Sequence, residues 1–135
     1  MNLSKQSIAR LSGVHDDLRN VVMRAIEITS QDFAVTCGLR TQKEQMALYE
    51  QGRTTPGAIV TWTRTSRHMS GRAVDLVPYP VDWNTPSKFD AIADAMFAAA
   101  AELGVKLRWG ADWDNDGNRR EKGESDSPHF ELDAT

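Results

Sequence analysis

Val14, Leu18, Val21, Val22 and Ala25 stand at i, i+4, i+7, i+8 and i+11. That is one stripe of an amphipathic helix running from about residue 14 to residue 29, and such a face needs a sheet to cover it. Phe33 to Gly38 alternates instead, is rich in β-prone residues and closes on a glycine, which predicts a strand. Thr41-Gln42-Lys43-Glu44 then has the Ser/Thr-x-x-Glu form of a capping box, opening a helix that Gly52 ends. From Gly52 to Gly71 the pattern lapses into Thr, Arg, Gly and Pro around isolated Ile59, Val60 and Trp62, as in a long loop holding a short strand. Ala73 to Val77 reads as a strand. Phe89, Ile92, Ala93, Met96, Ala100 and Leu103 mark a second long helix, with Gly104 as its stop. Val105 to Trp109 is a further strand, Gly110 to Pro128 a polar loop, and His129 to Leu132 the last strand. Helices and strands mix without a regular βαβ repeat. The fold class expected is α+β: a small antiparallel sheet with helices packed on one side, in one domain over residues 1–135.

Composition narrows the function. With 40% apolar residues in 135, the chain can fill a core without cross-links. Its single cysteine, Cys37, cannot close an intramolecular bridge and is expected to be a small buried hydrophobe. Sixteen Lys and Arg against 19 Asp and Glu leave a net charge of −3, which argues against a nucleic-acid partner, because phosphate binding needs a basic face. Met1 to Gly13 has no apolar run, and the apolar stretch containing Met96 to Ala101 is too short for a bilayer. Synthesis in the cytoplasm as a soluble monomer, without a signal peptide or membrane insertion, is the expectation.

Two of the three histidines stand beside acidic residues at predicted element ends. His68 precedes the Gly71 turn with Asp75 in the strand beyond, and Asp126 comes three residues before His129. Two His and one Asp make a zinc triad: a hydrolytic zinc takes three N or O ligands at about 2.0 to 2.2 Å and leaves a position for water, whose pKa falls to near 7. A carboxylate must still move that water's proton to the leaving nitrogen, and Asp126 is placed for it. By spacing alone a structural histidine is the commoner case, and the helical His-Glu-x-x-His pair is absent. Arg40, at a strand-to-helix turn, could hold a peptide carboxylate or stabilise a developing oxyanion, a role whose loss costs about 2.7 to 4 kcal/mol; otherwise it is an ordinary surface arginine. Ser66 either steadies its turn or touches substrate. His15, before Asp16 and Asp17, reads as exposed.

The run Ser66-Arg67-His68-Met69-Ser70-Gly71-Arg72-Ala73-Val74-Asp75 fits S-x-H-x-x-G-x-A-x-D. It resembles the zinc peptidoglycan peptidases related to D-alanyl-D-alanine carboxypeptidases and dipeptidases, whose fold is shared with lysostaphin-type enzymes and the hedgehog domain. Gly38 to Gln45 with Leu48 to Gly52, and Trp109 to Trp113 with Pro128 to Leu132, are similar too, so the resemblance runs from about residue 33 to 132. It looks most like the L-alanyl-D-glutamate endopeptidases used as phage endolysins. The resemblance implies His68, Asp75 and His129 as zinc ligands, Asp126 as the general base, and Arg40 as the arginine on substrate or oxyanion. It also implies peptidoglycan as the partner and the cell wall as the place of action. Many relatives carry Glu where this chain has Asp126, and branches ending in His-x-His have a histidine where this chain has Glu131. Alternatives are a D-alanyl-D-alanine carboxypeptidase or dipeptidase, and a hedgehog-like metal-stabilised binding module without turnover.

Asp112-Trp113-Asp114-Asn115-Asp116-Gly117 has the opening of a calcium loop, with oxygens from Asp112, Asp114 and Asp116, a bend at Gly117 and Asn118 able to add a carbonyl. Position 12 is Gly123 rather than a carboxylate, and such a run also makes a common hairpin turn. The loop leads to Asp126 and His129, so a calcium ion there would order the proposed base and ligand together. Arg53, Arg64, Arg67 and Arg72 lie in a stretch with no acidic residue, whereas Ala111 to Asp133 holds eight acidic residues against three basic. A divided surface is expected, its basic side suited to wall carboxylates.

Overall fold

The computed structural model describes residues 1–39, 42–51, 71–112 and 126–133. In chain order the elements are α1 (Lys5–Arg10), α2 (Asp16–Ile28), β1 (Phe33–Cys37), α3 (Gln42–Glu50), β2 (Ala73–Pro78), α4 (Pro86–Leu103), β3 (Leu107–Gly110) and β4 (Asp126–Leu132). The strands form one sheet in the order β1-β2-β4-β3, and all its pairings are antiparallel. The last strand is therefore inserted at the centre. That insertion makes β2 and β4, some fifty residues apart in sequence, hydrogen-bonded neighbours.

The periodic stripes are buried as expected except at Leu103, which ends α4 and is 47% exposed. Leu18, Val21, Val22 and Ala25 of α2 are fully buried, as are Ile92, Ala93 and Met96 of α4. The two helices pack on each other, and their inner faces join Val35, Val74, Leu76, Trp109 and Phe130 of the sheet in one core. Each large side chain so buried contributes about 1.5 to 3 kcal/mol. The helix ends follow from local chemistry. His15 caps α2 by accepting the Asp17 N–H at Nδ1, 3.1 Å, with Asp16 and Asp17 in the first turn favourable to the dipole; the ring stays exposed. Pro86 starts α4 behind Thr85, where its missing N–H costs nothing. Gly104 ends α4 in the left-handed region at φ 69°.

Three features depart from the sequence reading. The first is α1, which buries Ser7 alone and so carries no apolar stripe. It shields the outer edge of β1: the Val35 N–H donates to Ser7 Oγ at 3.0 Å and Arg10 Nη1 donates to the Val35 carbonyl at 3.0 Å, closing an edge open to unwanted pairing. The second is β4, which begins at Asp126 instead of His129, so the predicted loop is shorter at that end. Pro128 fits inside the strand because the β3 register slips there, pairing Trp109 with Phe130 but Gly110 with Asp126; a break in the ladder tolerates a residue without an N–H. The third is Cys37, which is half-buried rather than in the core. It lies just past a bulge in β1 and pairs with Asp75.

Candidate functional site

The site is built by strand register. In the β2–β4 ladder Asp75 stands opposite His129, Val74 opposite Phe130 and Ala73 opposite Glu131. Successive side chains alternate between faces. Val74 and Phe130 enter the core, and Asp75, His129 and Glu131 share the other face. β3 adds Arg108 opposite Glu131, on that same face. Val74 and Phe130 are 0% and 1% exposed, so a slip of one residue would bury the polar row and expose the apolar one.

Asp75 Oδ1 lies 3.3 Å from His129 Nδ1. On the far side of the ring, His129 Nε2 lies 2.9 Å from Glu131 Oε1, and Glu131 Oε2 is 3.9 Å from Arg108 Nη1. His129 and Glu131 are both buried, at 9% and 7% exposure. The chain beside them is held from β3, where Trp109 Nε1 donates to the Ser127 carbonyl at 2.6 Å and the indole stacks on Phe130 with centroids 5.9 Å apart and planes 7° from parallel. On the β1 side, Thr36 Oγ1 donates to the Asp75 carbonyl at 3.4 Å. The polar row thus stands on a packed apolar layer.

Two donors of a tetrahedral ion with bonds of about 2.0 to 2.2 Å lie about 3.3 to 3.6 Å apart. The Asp75–His129 separation meets that spacing, and a carboxylate with an imidazole is a donor set suited to zinc. Among the described residues no three His, Cys, Asp or Glu side chains converge on one ion position. His68, the third expected ligand, lies outside the described residues, as do Arg40, Ser66, Asp114, Asp116 and Asn118. Asp126 opens β4, two residues before Pro128, and its side chain is not among the described atoms. Asp112 is described: its N–H donates to the Trp109 carbonyl at 3.0 Å, as in a turn.

Sequence reasoning missed the contact of Glu131 with His129, although the signal was there: two residues apart on a strand share a face. It also placed Arg72 in an all-basic region. Arg72 instead lines a pocket of about 260 Å³ with Lys106, Asp17 and Asp133, a mixed surface. Arg53, Arg64 and Arg67 lie outside the described residues. Among the described residues no helix is long and apolar enough to cross a membrane.

The four-stranded antiparallel sheet thus carries the Asp75–His129 pair on its two central strands, β2 and β4. The chain is similar to the crystal structure of the Serratia marcescens L-Ala D-Glu endopeptidase ChiX, with a TM-score of 0.79 and 32% identity over 98% of this chain and 90% of that one. It shares a fold, at TM-score 0.54 and 21% identity, with the vancomycin-resistance D,D-dipeptidase VanXYg, covering 88% of this chain and 50% of that one. In sequence it is 34% identical to the L-alanyl-D-glutamate peptidase of Escherichia phage T5, over 95% of each chain. It is 33% identical to the peptidoglycan L-alanyl-D-glutamate endopeptidase CwlK of Bacillus subtilis (strain 168), over 75% of this chain and 60% of that protein. The model of the phage L-alanyl-D-glutamate peptidase family matches residues 1–133. The chain belongs to that family.

Proposed function

We propose that this protein is a zinc-dependent endopeptidase that hydrolyses the L-alanyl-D-glutamate bond of the peptidoglycan stem peptide and so lyses bacteria from the wall side. The observation that carries the reading is the 3.3 Å approach of Asp75 Oδ1 to His129 Nδ1 across the β2–β4 pair, in a chain of a peptidase family. Asp75 and His129 would hold the ion together with His68, which precedes Gly71 by three residues. When bound, zinc supplies a Lewis acid for the scissile carbonyl and acidifies water. Asp126, three residues before His129 on the strand that carries it, serves as the general base and returns the proton to the leaving D-glutamyl nitrogen. Arg40 binds the substrate carboxylate or steadies charge on the carbonyl oxygen, and Ser66 contributes a substrate contact. The phage and Bacillus relatives support the bond assignment by the reactions in their names.

Digestion of purified peptidoglycan followed by mass spectrometry tests the assignment. Fragments that leave L-alanine with a free carboxyl on the glycan side, lost on adding a zinc chelator, are expected; released D-alanine instead would make the enzyme a D,D-peptidase. Asp126→Ala should keep zinc and lose cleavage, whereas a non-catalytic binding module would be indifferent to that change. We further propose that calcium binds through Asp112, Asp114, Asp116 and Asn118 and orders the segment leading to Asp126. Cleavage by zinc-loaded protein should then rise with calcium and lose that dependence in Asp114→Ala; equal rates with and without calcium would refute it.

A further inference from the structure

We propose that Glu131 is a positioning residue for His129, selecting the tautomer in which Nε2 carries the proton and Nδ1 offers its lone pair beside Asp75. The inference rests on the reading of Asp75 and His129 as zinc ligands and adds a residue which that reading does not use. A neutral imidazole has one N–H and one lone pair. Here the two ring nitrogens face two different carboxylates at two different distances. Nδ1 is 3.3 Å from Asp75 Oδ1, the spacing of two ligands on one ion. Nε2 is 2.9 Å from Glu131 Oε1, an ordinary hydrogen-bond length. With the proton on Nδ1, the Nε2 lone pair would face a carboxylate oxygen at that distance, which is repulsive, and no lone pair would point toward Asp75. With the proton on Nε2, the Glu131 contact is a hydrogen bond, and the Nδ1 lone pair, which by itself would repel Asp75 Oδ1, would share a bound cation with it.

The fold holds Glu131 for this task. His129 and Glu131 are two apart on β4 and share a face, and Arg108 of β3 is the cross-strand partner of Glu131, its Nη1 3.9 Å from the second carboxylate oxygen. The Glu131 side chain is 9% exposed, so water competes weakly for the Nε2 proton. Such partners of a ligating histidine raise its basicity and fix its ring plane, and their loss commonly costs 10- to 100-fold in metal affinity.

The experiment is equilibrium zinc binding by competition with a chromophoric chelator, on the full chain and on Glu131→Ala, Glu131→Gln, Asp75→Ala and His129→Ala, together with ¹⁵N NMR of the His129 ring in the zinc-loaded parent protein. Expected are a 10- to 100-fold weaker zinc affinity in Glu131→Ala, affinity within about 3-fold of the parent in Glu131→Gln, whose amide oxygen still accepts the proton, and a ring protonated at Nε2. Parental zinc affinity in Glu131→Ala, or zinc on Nε2 with the proton on Nδ1, would overturn the proposal while leaving the zinc site intact. Unchanged zinc binding in both Asp75→Ala and His129→Ala would instead sink the zinc reading itself. Should Glu131→Ala fail to fold, the NMR assignment on the parent still decides.

Discussion

Gly71→Ala is expected to cost far more than its size implies, and Gly104→Ala shows how much of that cost is contact. The two glycines have nearly the same backbone, φ 71° and φ 69°, in a region that costs an L-residue roughly 1 to 2 kcal/mol. They differ in surroundings. A Cβ on Gly104 meets nothing within 4 Å, whereas one on Gly71 falls 2.4 Å from the Gly13 carbonyl oxygen. Because real Cβ atoms stay at least 3.0 Å away, either the α1–α2 turn or the start of β2 must move. The turn is held by the His15 N–H, which donates to the Gly71 carbonyl at 2.8 Å, so the two cannot part freely. Overpacking of this kind costs about 1 to 3 kcal/mol. Gly71→Ala should therefore lose about 2 to 5 kcal/mol and Gly104→Ala about 1 to 2 kcal/mol. At about 3 to 5 °C per kcal/mol for a chain of this length, the melting temperatures should fall by roughly 6 to 25 °C and 3 to 10 °C. Gly71 is also three residues after His68 and four before Asp75, and a misplacement near 1 Å can cost about 100-fold in rate. Peptidoglycan cleavage well below the melting range should drop in Gly71→Ala and stay parental in Gly104→Ala. Equal melting losses in the two variants would refute the contact argument.

The remaining predictions concern the elements that frame the sheet. Trp109→Phe keeps a ring near Phe130 but removes the donor to the Ser127 carbonyl; leaving that carbonyl unsatisfied costs about 1 to 3 kcal/mol. Chemical denaturation should show that loss, and cleavage should fall because Ser127 adjoins Asp126; unchanged stability and activity would count against it. Ser7→Ala removes the acceptor for the Val35 N–H on the β1 edge, with a similar loss expected and faster amide exchange at Val35 as the check. Asp82 accepts from the Asn84 N–H, with Lys88 Nζ and Thr85 Oγ1 on its other oxygen, and these hold its carboxyl down from 3.8 to about 2. A depressed pKa contributes stability above the unfolded value, lost as pH falls through the folded one. The melting gap between the parent and Asp82→Asn should thus be constant above about pH 4 and close toward pH 2; a gap that does not change would contradict it.

The sheet-forming and helix-forming segments were legible because each has its own period. Leu18 to Ala25 and Phe89 to Ala100 mark helical faces, Phe33 to Cys37 a strand, and Gly104 a stop whose left-handed backbone only glycine enters without cost. α1 was not legible, because six residues that bury one serine carry no hydrophobic period. Neither was the start of β4, because Pro128 reads as a strand breaker unless the slipped β3 register is known. The candidate site divides the same way. His129 and Asp75 were legible as residue types beside turns, and the resemblance added their role.

Residue chemistry and local periodicity are properties of short stretches of chain, so the sequence alone determined the periodic helices and strands, most of their apolar faces and which candidate Asp and His residues stand near their ends. Strand order is a property of the whole molecule. Only the tertiary structure decided that β4 lies between β2 and β3, that Asp75 stands opposite His129, and that Glu131 meets the other side of the same ring. The physical reason is that register follows from burying Val74 and Phe130 together, and that burial carries the polar row on the opposite face into line.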